Sequence, residues 1–289
     1  MADAKVREFL RQRFYNHPSG NDRVELLYLP IFNWLTDLKR KHSTKAPLFV
    51  GINGPQGAGK STLTAALVEA FELIGQKALT LSIDDFYLTH DEQKNLAQKF
   101  SHNSFLKQRG YPGTHDIKLG EKTLKAVNEI KRNQEVDVPT YDKSKYSGQG
   151  DRNPSSLWMK INHPQDIIFL EGWMLGFTQV PVESYSTLSN RNDFSEINKF
   201  LPAYESWMKF LNCFVYLKPD NYKNVLSWRV EAEENMKASG KLGMSKTEIT
   251  AYIEKFLPAY EIYGDRLNAQ STGIKEFLQI KIGKNRLPT

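Results

Sequence analysis

The sequence is poor in everything that would take it out of the ordinary globular class. Among its 289 residues there is a single cysteine, Cys213, which excludes an internal disulfide and reads, within NCFVYLKP, as a small buried hydrophobe. No apolar run reaches the ~20 residues that span a bilayer; one of the longest, IIFLEGWMLGF, is broken by Glu and Gly. The opening MADAKVREFLRQRF mixes acids and bases and has no apolar signal core, so a cytoplasmic location is expected. Blocks of like charge are absent too. The net charge of +6, from 39 Lys and Arg against 33 Asp and Glu, is spread along the chain, which argues against a nucleic-acid-binding arm or a membrane-binding patch. A small anionic substrate accounts for the excess of base equally well, and charge alone decides nothing. A chain of this length can bury roughly 75% of its unfolded surface and needs no covalent staple.

What is present is a change of period near residue 47. Before it the pattern is helical: VELLYLPIFNWLTDLKRKH has apolar residues at helical spacing and a basic end that suits the helix dipole, so residues 1–46 are expected to form a helical extension. From 47 to 289 short apolar strands alternate with helices. The strands are APLFVGIN, KALTLSI, DIIFLEG (166–172), NCFVYLK and FLQIKIG, and STLTAALVEAFELIG is a helix ending at Gly75. Near-continuous apolar strands separated by helices predict an α/β fold with a parallel sheet covered on both faces. KFLPAYE occurs at 199–205 and again at 255–261; both copies read as helix segments with a proline near the start of a turn, serving packing rather than chemistry. Residues 178–196 are polar without a clear period and read as a surface loop.

The first strand runs into Gly54-Pro55-Gln56-Gly57-Ala58-Gly59-Lys60-Ser61, with Thr62 next, and this fits G-x-x-x-x-G-K-[ST] in full. Glycine is required where backbone must approach phosphate oxygens, and the N–H groups at the start of the following helix meet negative charge. The pattern predicts ATP, with Lys60 reaching the β- and γ-phosphates and the Ser61 hydroxyl on Mg²⁺. A second metal-orienting acid is expected at a neighbouring strand end, where DIIFLEG places Glu171. The strand after the phosphate-loop helix ends in SIDDFYLT. Its end faces the same crevice, so Asp84 is expected to accept the proton of an acceptor hydroxyl and to lie near the metal. Strand alternation should turn Asp85 elsewhere, into an orienting or capping role, with Tyr87 close by.

Two polar loops supply candidate substrate contacts: RGYPGTHD with Arg109, His115 and Asp116, and VPTYDKSKYSGQGDR with Tyr141, Lys143, Lys145 and Arg152. A helix followed by a Gly-containing loop, about 224–246, reads as a lid. In it Arg229 would neutralise charge in the transition state, the alternative being a helix salt bridge to Glu233.

Taken together, IDDFY after the phosphate loop, RGYPGTHD, PTYD and the strand ending LEG resemble the phosphoribulokinase, uridine kinase and pantothenate kinase group. The longer strings SIDDFYLT, VPTYDKSKYSGQGDR, FLEGWMLGF, WRVEAE and FLPAY are most similar to D-glycerate 3-kinases of the plant and cyanobacterial type, and a fungal ATP-binding kinase-like protein is also similar. The resemblance runs from about residue 48 to the end. It implies a three-layer α/β/α P-loop kinase fold with a mostly parallel central sheet, ATP with Mg²⁺, and phosphoryl transfer to a small-molecule hydroxyl. It implies Asp84 as base, Glu171 as strand-end acid and Arg229 as lid arginine. Many relatives carry two lid arginines where WRVEAE keeps one, so Lys237 or Lys241 is expected to stand in for the other. Two other readings stay open: the same machinery acting on a nucleoside, pantothenate or another alcohol, and an ATP-binding regulator whose N-terminal helices meet a partner.

Overall fold

The computed structural model describes residues 2–17, 19–238, 240 and 244–289. Five strands form one sheet: β1 (Leu48–Asn53), β2 (Ala78–Ser82), β3 (Ile167–Gly172), β4 (Cys213–Pro219) and β5 (Glu276–Ile282). Their order is β2-β3-β1-β4-β5 and every pairing is parallel. All six residues of β1 and all six of β3 are buried, as expected of strands with both faces covered. The helices of ten residues or more are α1 (Ala2–Arg13), α2 (Leu29–Lys41), α3 (Lys60–Leu73), α4 (His90–Lys99), α5 (Ile117–Glu129), α6 (Arg191–Phe200), α7 (Asn224–Ala238) and α8 (Lys246–Tyr263). Two short antiparallel ribbons pair Val136–Val138 with Met159–Ile161 and Tyr141–Asp142 with Asp151–Arg152.

Each strand expected from the sequence is found. The helix after the phosphate loop stops where the sequence indicates: Gly75 takes φ +80°, its N–H reaches the Glu72 carbonyl (2.9 Å), and Gln76 N–H reaches that of Phe71 (3.0 Å). That pair of bonds is a Schellman cap, which glycine alone enters without a Cβ penalty. Two expectations are corrected. Residues 178–196 are not all loop, because α6 starts at Arg191 and buries Phe194 and Ile197, a helical spacing hidden by the polar residues around it. In the second KFLPAYE copy Pro258 lies inside α8 rather than near the start of a turn, so the expected turn is absent there.

The N-terminal helices are bound into the main core. Phe32 of α2 meets Phe71 of α3 with ring centroids 4.8 Å apart, and Arg13 pairs with Glu69 at 2.9 Å. Val6, Leu10, Leu27, Ile31 and Leu35 belong to one continuous apolar cluster with the sheet residues. Because Phe32 is buried at 2% exposure, Phe32→Ala is expected to lower the unfolding free energy by about 3–5 kcal/mol, read from urea denaturation. A loss below about 1 kcal/mol would show that the extension is not part of the cooperative core.

Candidate active site

The register of β3 assembles the site. Glu171 stands opposite Ile52 of β1 and opposite Ser82 of β2, so the phosphate loop after β1 and the acidic turn after β2 flank it. In the phosphate loop Gly57 and Gly59 have φ +79° and +96°. A Cβ on Gly57 would lie 2.6 Å from Cβ of Trp228, so both backbone angle and space demand glycine. Ser61 Oγ donates to Glu171 Oε1 (3.0 Å); Lys60 Nζ donates to the Pro55 carbonyl (3.3 Å) and lies 3.9 Å from Glu171 Oε2. Burial draws the Lys60 ammonium below its usual pKa, against the pull of Glu171 and Asp84. An open glycine cradle, a buried lysine and a hydroxyl beside a carboxylate fit a nucleotide phosphate chain with Mg²⁺. That ion takes one or two protein oxygens and fills its shell with phosphate and water. Among the described residues no group of three or more His, Cys, Asp or Glu forms an all-protein metal cage.

Asp84 and Asp85 lie beyond the strand, in a 3-10 turn (Ile83–Phe86) capped by Ser82, whose Oγ accepts from Asp84 N–H at 3.3 Å. They diverge because successive residues of a three-residue turn point about 120° apart, and not through strand alternation. Asp84 Oδ2 accepts from Lys143 Nζ at 2.5 Å. Burial alone would raise the Asp84 carboxyl, but the Lys143 ammonium outweighs it and holds the group below the ordinary carboxylate value. Asp85 Oδ1 accepts from Tyr141 N–H (3.2 Å), fastening the second polar loop to the turn; burial pushes its carboxyl up to about 6.

The structure sorts the remaining candidates. Lys143, Tyr87 and His115 gather around Asp84, with the Tyr141 ring edge-on to Tyr87 at 5.4 Å. Three candidates are engaged in holding loops. Arg109 donates to the carbonyls of Gly148 (2.7 Å) and Gln149 and lies over the Tyr141 ring. Arg152 donates to the Tyr87 carbonyl (2.9 Å) and to Asp116 (3.2 Å). Asp116 also caps α5 through Leu119 N–H (3.0 Å). Lys145 is half-buried in the loop beside Asp142. Arg229 pairs with Glu233 one helical turn on and lies 5.3 Å over the Tyr252 ring. Lys237 donates to the Met244 carbonyl (2.6 Å), and Lys241 lies outside the described residues.

Residues not singled out in the sequence also shape the site. Both KFLPAYE copies clamp the RGYPGTHD loop: Phe200 lies where a Cβ on Gly113 would come within 2.8 Å, and Phe256 where one on Gly110 would come within 3.2 Å. The Tyr204 hydroxyl accepts from Gly113 N–H (3.0 Å) and meets His115 Nδ1 (2.8 Å), while that of Tyr260 accepts from Gln56 N–H in the phosphate loop (3.4 Å). The repeated string was the visible signal, and its role is packing that ends in a polar hydroxyl.

A parallel sheet carrying a glycine-rich phosphate loop, with an acid on each of the two adjacent strand ends, defines the P-loop kinase class. The chain belongs to the Phosphoribulokinase / Uridine kinase family, whose model matches residues 49–191. It is 37% identical over 92% of its length to "D-glycerate 3-kinase, chloroplastic" of Arabidopsis thaliana and spans 60% of that relative's length. It is 35% identical to "Probable ATP-dependent kinase TDA10" of Saccharomyces cerevisiae, over 84% of this chain and 87% of that one. A solved D-glycerate 3-kinase from Cryptococcus neoformans superposes with a TM-score of 0.83 at 32% identity, covering 91% of this chain and 97% of its own. That share exceeds what residues 47–289 alone could supply, so the likeness reaches into the N-terminal helices. Among the described residues no helix is long and apolar enough to cross a membrane.

His115 gives the site a pH signature. Burial pushes its imidazole down from 6.5 to about 3. The unfolded chain therefore takes up a proton that the folded one refuses, and stability present above pH 6.5 drains away as pH falls toward 3. His115→Gln is expected to flatten this part of the stability profile in urea unfolding between about pH 4 and 7. Parallel profiles for the two proteins would show that His115 titrates normally.

Proposed function

We propose that the chain transfers the γ-phosphoryl group of ATP to a hydroxyl of D-glycerate, giving 3-phosphoglycerate. The observation that carries the reading is Asp84 and its partner: a carboxylate beside the phosphate loop, bonded at 2.5 Å by a lysine from a flanking loop. Two relatives that the chain matches across most of its length bear the name D-glycerate 3-kinase, which supports glycerate as the acceptor. Residues 54–62 would hold the ATP phosphates, and Ser61 and Glu171 the metal; bound Mg²⁺ would neutralise charge shared by the β- and γ-phosphates.

In this scheme the acceptor oxygen attacks the γ-phosphorus in line, Asp84 takes its proton, and the bond to the β–γ bridging oxygen breaks to leave ADP. An acid held low by Lys143 is a weak base. Glycerate offers a carboxylate of its own, and once Lys143 turns to it, Asp84 regains basicity as the hydroxyl arrives. Lys60 stays beside the transferring group. Arg229 would join it by exchanging Glu233 for phosphate oxygens when α7 closes.

The test is ADP release with Mg-ATP, alone and with D-glycerate, L-glycerate, pantothenate or uridine. Strong stimulation by D-glycerate alone is expected, with phosphorus NMR showing the phosphate on the 3-oxygen. Stimulation by another acceptor would move the substrate and keep the machinery; stimulation by none, with ATP still bound, would leave a regulator. Asp84→Asn is expected to lower kcat by about 100-fold or more while nucleotide affinity changes little. Near-normal turnover in this variant would remove Asp84 from the role of base.

A further inference from the structure

The turn after β5, residues 283–289, lies against the outer side of the phosphate loop. It is closed by Arg286 N–H to the Gly283 carbonyl (2.8 Å) and Gly283 N–H to that of Leu287 (2.9 Å), with Arg286 itself at φ +62°. Arg286 is buried, and the three contacts of its side chain join three elements. Nε donates to the Gly57 carbonyl (2.7 Å), Nη1 to Glu231 of α7 (2.8 Å), and the guanidinium lies 5.5 Å over the ring of Trp228, also on α7. Trp228 returns a bond from Nε1 to the Lys284 carbonyl (2.7 Å).

The bond to Gly57 bears on phosphate binding because the peptide unit is rigid. In a trans peptide the C=O and the next N–H point in opposite directions. Fastening the Gly57 carbonyl outward onto Arg286 aims Ala58 N–H inward, across the loop toward the Pro55 carbonyl (3.2 Å), the side on which phosphate oxygens would be received. Glycine resists rotation of this peptide less than any other residue, so an outside hold is needed. Behind the turn lies a second guanidinium. Arg23, 8% exposed, donates from Nη2 to the Asn285 carbonyl (3.0 Å), and its Nη1 meets His17 Nε2 (3.2 Å). Arg23 belongs to the N-terminal extension, which also grips α3 through Arg13–Glu69 and Phe32–Phe71.

We propose that Arg286 and, through the turn at 283–289, Arg23 are positioning residues that hold the phosphate loop in its nucleotide-binding shape. The N-terminal helices thereby set ATP affinity from outside the site. This rests on the loop being the ATP cradle and is independent of which acceptor is phosphorylated.

The experiment is calorimetric binding of a non-hydrolysable ATP analogue with Mg²⁺, without acceptor, to the full-length wild type and to the Arg286→Ala, Arg286→Lys, Arg23→Ala and double-alanine variants, with melting temperatures recorded alongside. A loop released from its outside hold must be ordered on binding, so Arg286→Ala is expected to raise Kd by about tenfold. Arg286→Lys, which cannot hold Gly57 and Glu231 together, should fall between, and Arg23→Ala should weaken binding about threefold. Because Arg23 acts through the same turn, the double variant should bind no more weakly than Arg286→Ala. In turnover the loss should fall on KM for ATP and leave KM for the acceptor within about twofold. Equal affinity in wild type and Arg286→Ala would overturn the proposal. So would a double variant weaker than Arg286→Ala by the whole Arg23 factor. Should Arg286→Ala fail to fold, Arg286→Lys and Arg23→Ala carry the comparison, and unchanged affinity in both overturns it equally. Failure of the wild type to bind the analogue would instead remove the kinase reading itself.

Discussion

Strand β3 lies between β1 and β2, and its register with both decides where each reactive side chain falls. With Glu171 level with Ile52 on one side and Ser82 on the other, Ser61 at the start of α3 reaches Glu171, and the turn after Ser82 brings Asp84 to the same place. A slip of one residue would turn Glu171 to the opposite face of the sheet and separate lysine, hydroxyl and acid at once. Six consecutive buried residues in β3, flanked by the equally buried β1, resist that slip through their packing on both faces.

Around this frame the loops are held by side chains that bond their backbone groups. Arg109 gathers the carbonyls of Gly148 and Gln149, and Arg152 joins Tyr87 to Asp116. Tyr204 and Tyr260, one from each KFLPAYE copy, take up backbone N–H groups of two different loops. The cations near the acceptor pocket thus divide by what they bond. Arg109 and Arg152 spend donors on loop carbonyls, whereas the Lys143 ammonium bonds the Asp84 carboxylate, and on the proposed reading it is Lys143 that turns to the acid of the acceptor.

Fold and chemistry were legible in the sequence to different depths. Local pattern shows what local pattern controls: five apolar strands, the glycine loop, the cap at Gly75 and the acids at two strand ends. The separate aims of Asp84 and Asp85 were anticipated, yet for the wrong reason, since the strand ends at Ser82 and a tight turn does the work. The braces were not legible. Arg286 bonds a residue 229 positions away and Arg23 one 262 away, and nothing in GKNRLPT or GNDRVELL announces a long-range partner. The bonds of Arg109 and Arg152 to loop carbonyls were not legible either, because a sequence shows that a loop is cationic but not which of its carbonyls the cations meet.

The ion pair at Asp84 bears on a hazard common to enzymes that activate ATP beside an open pocket. Water can enter the acceptor's place and is a competent nucleophile if a base is free to deprotonate it. On the proposed reading the base, Asp84, is paired with Lys143 at rest, and water carries no negative charge with which to draw Lys143 away. On the proposed reading only an acceptor that is itself an acid frees the carboxylate. The resting pair therefore acts as a safeguard against futile hydrolysis, and recognition of the acceptor and readiness for chemistry become one event.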